Sequence, residues 1–319
     1  MSVTLQDFTV KYGAVTAVDR ISATFPPGAT GLLGPNGAGK TSLIRGLLGL
    51  VPAAHGSATI LGHDIQRERK LIRQLIGYMP EDDSIVPGLT GIGMVRYAGE
   101  LSGMSGADAM QRAHEVLFLV GLEEARYRTV ETYSAGMRQR IKLAQAIVHD
   151  PKLLFLDEPT SGMDPKGRLE MLELIRMIAG RNRMSIILAT HILIDVERTC
   201  DHVVIINRGR LIKEGSVGGI KGKYAGTFSV RVEGPRAAFE EALRSRGCEI
   251  TPDGAHRIDV TLPDGAATEL FFEVARDTGV QLRRLLPSVQ SLEDAFVKIV
   301  DEDEYGGSKP VGMDGHADS

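Results

Sequence analysis

The sequence predicts an α/β protein in which strands and helices alternate along most of the chain. Three short and almost wholly apolar runs, residues 153–156, 185–189 and 202–206, are separated by stretches with helical spacing of apolar residues. Such alternation is typical of a parallel sheet that is covered by helices on both faces. A fourth apolar run, residues 29–33, leads into a glycine-rich loop and an apolar helix around residues 43–50. We therefore expect a mostly parallel sheet as the core.

The first strands have a different pattern. Val3 and Leu5, and later Ile21, Ala23 and Phe25, alternate with polar residues in period two. A Pro-Pro-Gly turn closes this segment. Period-two alternation is typical of strands with one buried face, so short antiparallel strands are expected before the parallel sheet.

Residues 82–132 interrupt the strand pattern. Apolar residues recur there at helical spacing, with a glycine-containing break at residues 103–106. This pattern predicts a helical subdomain inserted into the α/β core.

The C-terminal third has its own organisation. Four glycines in residues 218–226 indicate a hinge, and the strand and helix patterns of residues 227–300 predict a small α+β domain. Residues 301–319 are acidic, contain glycine and have few large apolar side chains, so a disordered tail is expected.

Composition excludes several classes of protein. Lys and Arg total 37 against 41 Asp and Glu in 319 residues, and this near-neutral balance argues against a nucleic-acid partner. Cys200 and Cys248 are the only cysteines and lie far apart, which argues against a disulfide scaffold or a zinc module. No apolar run reaches the roughly 18–20 residues that span a bilayer.

The glycine-rich segment has the spacing of a phosphate-binding loop. Its glycines let the backbone curl so that consecutive N–H groups face a phosphate, and Lys40 adds a positive charge for the β- and γ-phosphate oxygens. The Thr41 hydroxyl can bind Mg²⁺. A plain glycine-rich turn is the alternative, but the position between a strand and a helix favours nucleotide binding. The candidate binding residues are Gly34, Pro35, Asn36, Gly37, Ala38, Gly39, Lys40, Thr41 and Ser42.

Two adjacent carboxylates, Asp157 and Glu158, follow the apolar run 153–156. They lie where open α/β sheets bind their ligands, beyond the carboxyl end of a strand. Asp157 is suited to hold Mg²⁺, and Glu158 can polarise the water that attacks the γ-phosphate. A charged turn after a core strand is the alternative, and it is weak beside a phosphate-binding loop.

The segment 133–140 lies upstream of these carboxylates and resembles the signature of ATP-binding-cassette (ABC) proteins. Ser134 can cap a helix whose N-terminal N–H groups are free for an anion, and Gly136 permits close backbone approach. Taken alone, the segment would more often be an ordinary capped surface helix. Ala135 and Met137 stand where the commonest signature has glycine and glutamine, a departure that concerns the geometry and rate of hydrolysis.

Four further positions match the family in order. The resemblance implies that Asp164 lies in the loop that contacts a partner subunit, that His191 contacts the γ-phosphate, and that Tyr12 stacks on adenine. Glu81 stands at the family's usual glutamine near Mg²⁺ and adds negative charge there. For Tyr12 and His191 the alternatives are an exposed edge-strand tyrosine and a structural histidine.

The resemblance covers residues 3–217 and implies an ABC-type phosphate-loop ATPase in residues 1–217, with an antiparallel β subdomain and an inserted helical subdomain. It implies ATP and Mg²⁺ as cofactors and a head-to-tail homodimer or paired cassette. It also implies a separate integral membrane permease, docked on residues 84–103, which would hold the chain peripherally at the cytoplasmic face of the membrane. Residues 227–300 resemble the C-terminal extension of two-component bacterial exporters, so export is favoured over import.

Two other classes of protein are alternatives. A non-transport ABC ATPase that acts on ribosomes or DNA would be expected to have two cassettes or a long coiled-coil arm, and this sequence has neither. A phosphate-loop kinase or switch protein would lack the Ser134 segment and the adjacent Asp157 and Glu158. The sequence leaves the cargo open among drug, lipid, polysaccharide and ion.

Overall fold

The structure is a computed structural model that describes residues 1–182, 184–222, 226–253, 257–263, 266–287 and 291–306. The chain forms two units, the first Met1–Ser216 and the second beginning at Val217. The described strands form two sheets in the first unit and one in the second, and each unit has its own hydrophobic core.

The strands of the first unit belong to two sheets. They are β1 (Val3–Tyr12), β2 (Val15–Phe25), β3 (Ala29–Leu33), β4 (Ala53–Ile60), β5 (His63–Asp64), β6 (Ile76–Met79), β7 (Leu153–Asp157), β8 (Ser185–Thr190), β9 (His202–Asn207) and β10 (Arg210–Ser216). The first sheet is antiparallel, in the order β2-β1-β4-β5. Leu5 of β1 lies opposite Ala23 of β2, and both are buried. The period-two prediction for this segment is confirmed.

The second sheet has the order β10-β9-β3-β8-β7-β6. Strands β9, β3, β8, β7 and β6 are parallel, and β10 pairs antiparallel with β9. Every residue of β7 and β8 is buried, as expected for central strands covered on both faces. Because β3, β7 and β8 are neighbours, the loops after their carboxyl ends meet at one edge of the sheet.

The helices of the first unit cover this sheet and form the insert. They are α1 (Lys40–Leu47), α2 (Arg69–Leu75), α3 (Gly91–Leu101), α4 (Gly106–Leu119), α5 (Ala135–Ile147), α6 (Pro165–Asn182) and α7 (Leu193–Thr199). The predicted insert contains α3, α4 and two short 3₁₀ turns, and the break falls at Gly103, whose φ is 95°. Helix α1 begins earlier than residue 43, at Lys40, because Gly39 adopts the left-handed N-cap conformation.

The second unit is an α+β fold. Its elements are α8 (Val217–Gly222), β11 (Thr227–Glu233), α9 (Arg236–Ser245), β12 (Glu249–Asp253), β13 (Arg257–Thr261), α10 (Glu269–Thr278), β14 (Gln281–Pro287) and α11 (Leu292–Gly306). The antiparallel sheet has the order β12-β13-β11-β14, and the βαββαβ sequence gives a ferredoxin-like arrangement. Val230, Phe239, Ile258 and Phe271 are fully or almost fully buried in its core.

Two expected boundaries are corrected. Residues 218–222 of the expected hinge 218–226 belong to α8 (Val217–Gly222), in which Val217 and Ile220 are buried. Burial of these side chains outweighs the low helix propensity of the glycines. The expected tail 301–319 overlaps α11, which continues to Gly306. Leu292, Ala295 and Ile299 in the first part of this helix are buried. Residues 223–225 and 307–319 lie outside the described residues.

Within the described part of the chain, none of the helices combines the length and the apolar character that crossing a bilayer requires.

Candidate nucleotide-binding site

The loop between β3 and α1 depends on two glycines. Gly37 and Gly39 have φ of 80° and 103°, a region that residues with a Cβ rarely adopt. A Cβ on Gly39 would also lie 2.5 Å from the carbonyl oxygen of Ala17, so the loop and the β1–β2 sheet can approach only if this residue is glycine. Among the described residues no side chain caps α1, which leaves the first N–H groups of this helix available to an anion.

Lys40 is buried at the centre of this loop. Its Nζ donates to the carbonyl oxygens of Gly34 at 2.9 Å and Pro35 at 3.2 Å. The same Nζ lies 3.7 Å from Oε1 of Glu158. The loop backbone and a neighbouring carboxylate therefore hold the ammonium group at the mouth of the loop, where it can bind phosphate oxygens.

Glu158 has a strained backbone and a fully engaged side chain. Its φ is 47°, which is uncommon for a residue with a Cβ and is a feature of functional sites. Oε2 accepts a hydrogen bond from Oγ1 of Thr190 at 2.9 Å. Oε1 accepts from the backbone N–H of His191 at 3.0 Å and lies 2.8 Å from its Nδ1. The two predicted catalytic residues, Glu158 and His191, are thus brought together by the ends of β7 and β8.

Asp157 has the opposite surroundings. It is fully buried, and within the described residues neither carboxylate oxygen has a hydrogen-bond partner. Burial raises the pKa of Asp157 to about 6. The nearby Thr41 hydroxyl opposes this rise in the pKa of Asp157. A buried carboxylate without a partner, beside a hydroxyl, fits a hard cation such as Mg²⁺.

Protein carboxylates alone would not complete a metal site here. In the described ranges, no group of three or more His, Cys, Asp and Glu side chains is placed to hold a metal ion. Mg²⁺ commonly takes one or two protein ligands and completes its shell with phosphate and water oxygens. The residues present therefore fit a metal that arrives with a phosphorylated ligand.

A cavity of about 400 Å³ opens above the loop. It is lined by Ala17, Asn36, Gly37, Ala38, Gly39, Lys40, Thr41, Ser42, Glu81, Glu158 and His191. All of these except Ala17 were predicted. Ala17 lies on β2, and the motif pattern contains no signal for it; its proximity follows only from the packing of β2 beside Gly39. The lining combines a cation, a helix N-terminus and two carboxylates, a set suited to binding and hydrolysing a phosphate chain.

The remaining predicted residues do not line this cavity. Tyr12 ends β1 with 41% of its surface exposed. Ser134 caps α5 by accepting from the N–H of Met137 at 3.3 Å. Asp164 is exposed just before α6.

Gly136 has ordinary space around it within this chain. A Cβ added there would meet Cε of Met163 at 3.5 Å, a normal contact. Packing among the described residues therefore does not require glycine at this position.

A buried network that the sequence did not indicate lies next to the predicted catalytic residues Glu158 and His191. Asp195 on α7 is 1% exposed. It accepts from Oγ1 of Thr160 at 2.7 Å and from Nε of Arg168 at 2.6 Å. The loop that follows Glu158 is thereby joined to the helix that follows His191. In the sequence Asp195 is an ordinary acidic residue in a helix, without a motif to mark it.

The comparisons with known proteins agree with this geometry. The chain matches the family model described as "ABC transporter" over residues 18–161. It is 37% identical over 254 residues to the linearmycin resistance ATP-binding protein LnrL of Bacillus subtilis (strain 168), with 79% of each chain covered. It is 33% identical over 299 residues to the bacitracin transport ATP-binding protein BcrA of Bacillus licheniformis, which covers 92% of this chain and 95% of the relative. A solved ATP-binding subunit of an ABC transporter superposes with a TM-score of 0.63 at 28% identity, covering 70% of this chain and 93% of that chain.

Proposed function

The chain belongs to the ABC transporter family of ATP-binding proteins, and from this premise we propose that it dimerises on MgATP and drives export through a separate integral membrane permease. As a member of the family it is an ATPase whose hydrolysis drives transport. The observation that carries the proposal is Glu158, held by Thr190 and His191 at the cavity that Lys40 lines.

The chemistry follows from the positions of these groups. Lys40 and the N–H groups of the loop bind the phosphate oxygens, and Lys40 then exchanges its backbone contacts for them. Glu158 polarises the attacking water and accepts its proton, while the bond from the γ-phosphorus to the bridging oxygen breaks. His191 lies beside this carboxylate and can donate to the γ-phosphate.

Thr41, Asp157 and Glu81 are the proposed metal-side residues. Mg²⁺, when bound, neutralises charge on the phosphate oxygens. Among the described residues the oxygens of Asp157 have no hydrogen-bond partner and lie near the Thr41 hydroxyl, which supports this role. Thr41 and Glu81 line the cavity.

A head-to-tail dimer gives Ser134, Gly136 and Asp164 their function. The three residues lie outside the cavity lining, and Gly136 is not required by packing within the chain. The N-terminus of α5 can bind the γ-phosphate of a nucleotide held by a second copy or a paired cassette. Tyr12 is proposed to stack on the adenine of this chain's own nucleotide.

The membrane partner is proposed to dock on the helical insert. Tyr97 and Leu101 on α3 and Phe118 on α4 expose 45%, 70% and 70% of their surfaces, and exposed apolar groups of this size are typical of interaction sites. Docking would place the chain peripherally at the cytoplasmic face of the membrane. The name of LnrL, a resistance protein, supports export as the direction.

The proposal is tested by steady-state ATPase activity and ATP-dependent dimerisation of the wild type and Glu158→Gln. The variant should lose at least about a hundredfold in kcat, the scale of a missing general base, and should accumulate as an ATP-bound dimer. Glu173→Gln, on the exposed face of α6, is the matched control and should behave as wild type. A fully active Glu158→Gln variant would refute the mechanism, and a monomer that hydrolyses ATP normally would refute the dimer.

A further inference from the structure

Three consecutive acidic residues, Glu81, Asp82 and Asp83, follow β6, and each is held by a cation from another element. Nζ of Lys142 donates to the carbonyl oxygen of Glu81 at 2.7 Å. Nη1 of Arg138 lies 3.0 Å from Oδ2 of Asp83. Asp82 is paired with α1 through a longer, exposed contact at 3.6 Å. Lys142 and Arg138 both belong to α5, so this loop is tied mainly to the helix that Ser134 caps.

Lys142 differs from the other cations in its burial. It is 1% exposed and is among the largest fully buried side chains, whereas Arg138 is partly exposed. Burial of an ammonium group this deep costs free energy unless the group is paired and hydrogen-bonded, whereas an apolar side chain would fill the space without desolvating a charge. Burial lowers the pKa of Lys142, and the carboxylates of Asp83, Asp82, Glu81 and Asp157 oppose that effect.

The hydrogen bond from Lys142 holds the backbone of Glu81, not its side chain. The carbonyl of Glu81 is held from α5, while the Glu81 side chain lines the nucleotide cavity. A residue whose backbone is clamped on one side presents its side chain to the other side within a narrow range of positions. The clamp therefore determines where the Glu81 carboxylate stands relative to Asp157 and Thr41.

We propose that Lys142 is a positioning residue for ATP hydrolysis, which holds the carbonyl of Glu81 and so places the Glu81 carboxylate at the metal side of the cavity. The inference rests on the role proposed above for Glu81. It makes the placement of Glu81 depend on α5, the same helix whose N-terminus is proposed to meet the nucleotide of a second subunit. Arg138 and the Asp82 contact cannot replace this clamp, since they hold the exposed side chains of the neighbouring residues.

The first test needs no ligand. Lys142→Met keeps the length of the side chain and removes its charge and donor, so the variant should fold with a melting temperature equal to or above that of the wild type. Amide hydrogen exchange of residues 80–84 should become faster in Lys142→Met and remain near the wild type in Lys142→Arg. Arg112→Met is the matched control, because Arg112 also donates to a backbone carbonyl, that of Val148 at 3.2 Å, away from this loop. An unchanged exchange rate in Lys142→Met would overturn the proposal.

The second test follows Mg²⁺ without turnover. In a Glu158→Gln background, the stabilisation of the protein by ATP against thermal unfolding is measured while Mg²⁺ is titrated. Lys142→Met should raise the Mg²⁺ concentration at half-effect by about 10-fold or more, the usual effect of losing a supporting contact behind a ligand. Glu81→Ala should raise it similarly, and the double variant should be no worse than Glu81→Ala alone.

The outcomes separate the two ideas. If Glu81→Ala shifts the Mg²⁺ requirement and Lys142→Met does not, the positioning role of Lys142 is wrong and the metal-side role of Glu81 stands. If the effects of the two substitutions add fully, Lys142 acts independently of Glu81 and the proposal is again wrong. If Glu81→Ala has no effect, the proposed role of Glu81 fails and the clamp loses its function with it.

Discussion

At the scale of single residues, the adjacent carboxylates Asp157 and Glu158 are prepared for different chemistry by their surroundings. Glu158 is surrounded by donors, from Thr190 and His191, that stabilise and orient a carboxylate. Asp157 is buried and, in the part of the chain that the structure describes, has no hydrogen-bond partner, so its ionised form is unfavourable until a cation binds. Glu158 lines the cavity, whereas Asp157, one residue earlier at the end of β7, is fully buried.

The buried Asp157 predicts an unusual pH dependence of stability. In the folded state its pKa, about 6, lies above the ordinary aspartate value of 3.8 that applies in the unfolded chain, so the folded state binds more protons than the unfolded state between these two pH values. Its contribution is present below pH 4 and is lost as pH rises through 6, a loss of up to about 3 kcal/mol. Asp157→Asn should lack this component. Urea unfolding of the two ligand-free proteins from pH 4.5 to 7.5 measures the free energy of unfolding at each pH. Parallel plots of this free energy against pH for the wild type and the variant would contradict the prediction.

At the scale of secondary-structure elements, the N-terminal caps of α4 and α5 can be compared. Ser134 and Ser105 cap α5 and α4 in the same way, accepting from backbone N–H groups at 3.3 and 3.1 Å. The two caps differ in their surroundings, since only α5 is tied to the loop of Glu81 and, through Gln139, to the carbonyl of Ser161. A helix with a structural cap and one whose N-terminus is proposed to bind a nucleotide can therefore be compared within one molecule.

Ser134→Ala and Ser105→Ala should each reduce the free energy of unfolding by about 1 kcal/mol, the usual value of an N-cap. Only Ser134→Ala should also weaken ATP-dependent dimerisation and ATPase activity, because its hydroxyl is proposed to meet a nucleotide across the dimer. Chemical denaturation and analytical ultracentrifugation with ATP distinguish the two effects. Equal loss of dimerisation in both variants would point to a structural role for both caps.

The packing of α5 on β6 leaves no space at Gly77. A Cβ there would lie 2.1 Å from the carbonyl oxygen of Ala146, a backbone atom that cannot move without moving the helix. Gly77→Ala should therefore destabilise the first unit by about 1–3 kcal/mol. Gly180→Ala is the control, because its Cβ in α6 meets nothing within 4 Å and should stabilise by about 0.5–1 kcal/mol. In thermal unfolding, the melting temperature should fall for Gly77→Ala and rise for Gly180→Ala.

At the scale of the whole molecule, the chain consists of two units with separate cores. Every residue that lines the nucleotide cavity belongs to the first unit. The second unit buries its own apolar side chains around Phe239 and Phe271. Nucleotide binding and the ferredoxin-like fold are thus carried by different parts of the chain.

A fragment of residues 1–216 should therefore fold and bind ATP with an affinity close to that of the full chain. Isothermal titration with ATP and Mg²⁺ measures both proteins under the same conditions. A fragment that is folded by circular dichroism but does not bind ATP would show that residues beyond 216 are needed for the site.

Most of the first unit could be predicted because its signals are local. The strands β3, β7, β8 and β9 are short apolar runs, and the loop before α1 has glycines at fixed spacing. Hydrophobic periodicity and glycine spacing involve residues that are neighbours in the sequence, so both can be recognised without knowing the fold. The boundaries of α8 and α11 were missed because burial of a few side chains, which depends on distant partners, outweighed local composition.

The sequence by itself determined the α/β class, the phosphate-binding loop and the identity of Asp157 and Glu158, because these depend on residue type and short-range order. Only the tertiary structure decided that Ala17 lines the cavity and that Lys142 holds the carbonyl of Glu81. It also decided that Asp195 joins the helix after His191 to the loop that follows Glu158. Each of these contacts joins residues 22 or more positions apart in the chain. Such pairs are set by strand order and helix packing, and these depend on the whole core rather than on any local pattern.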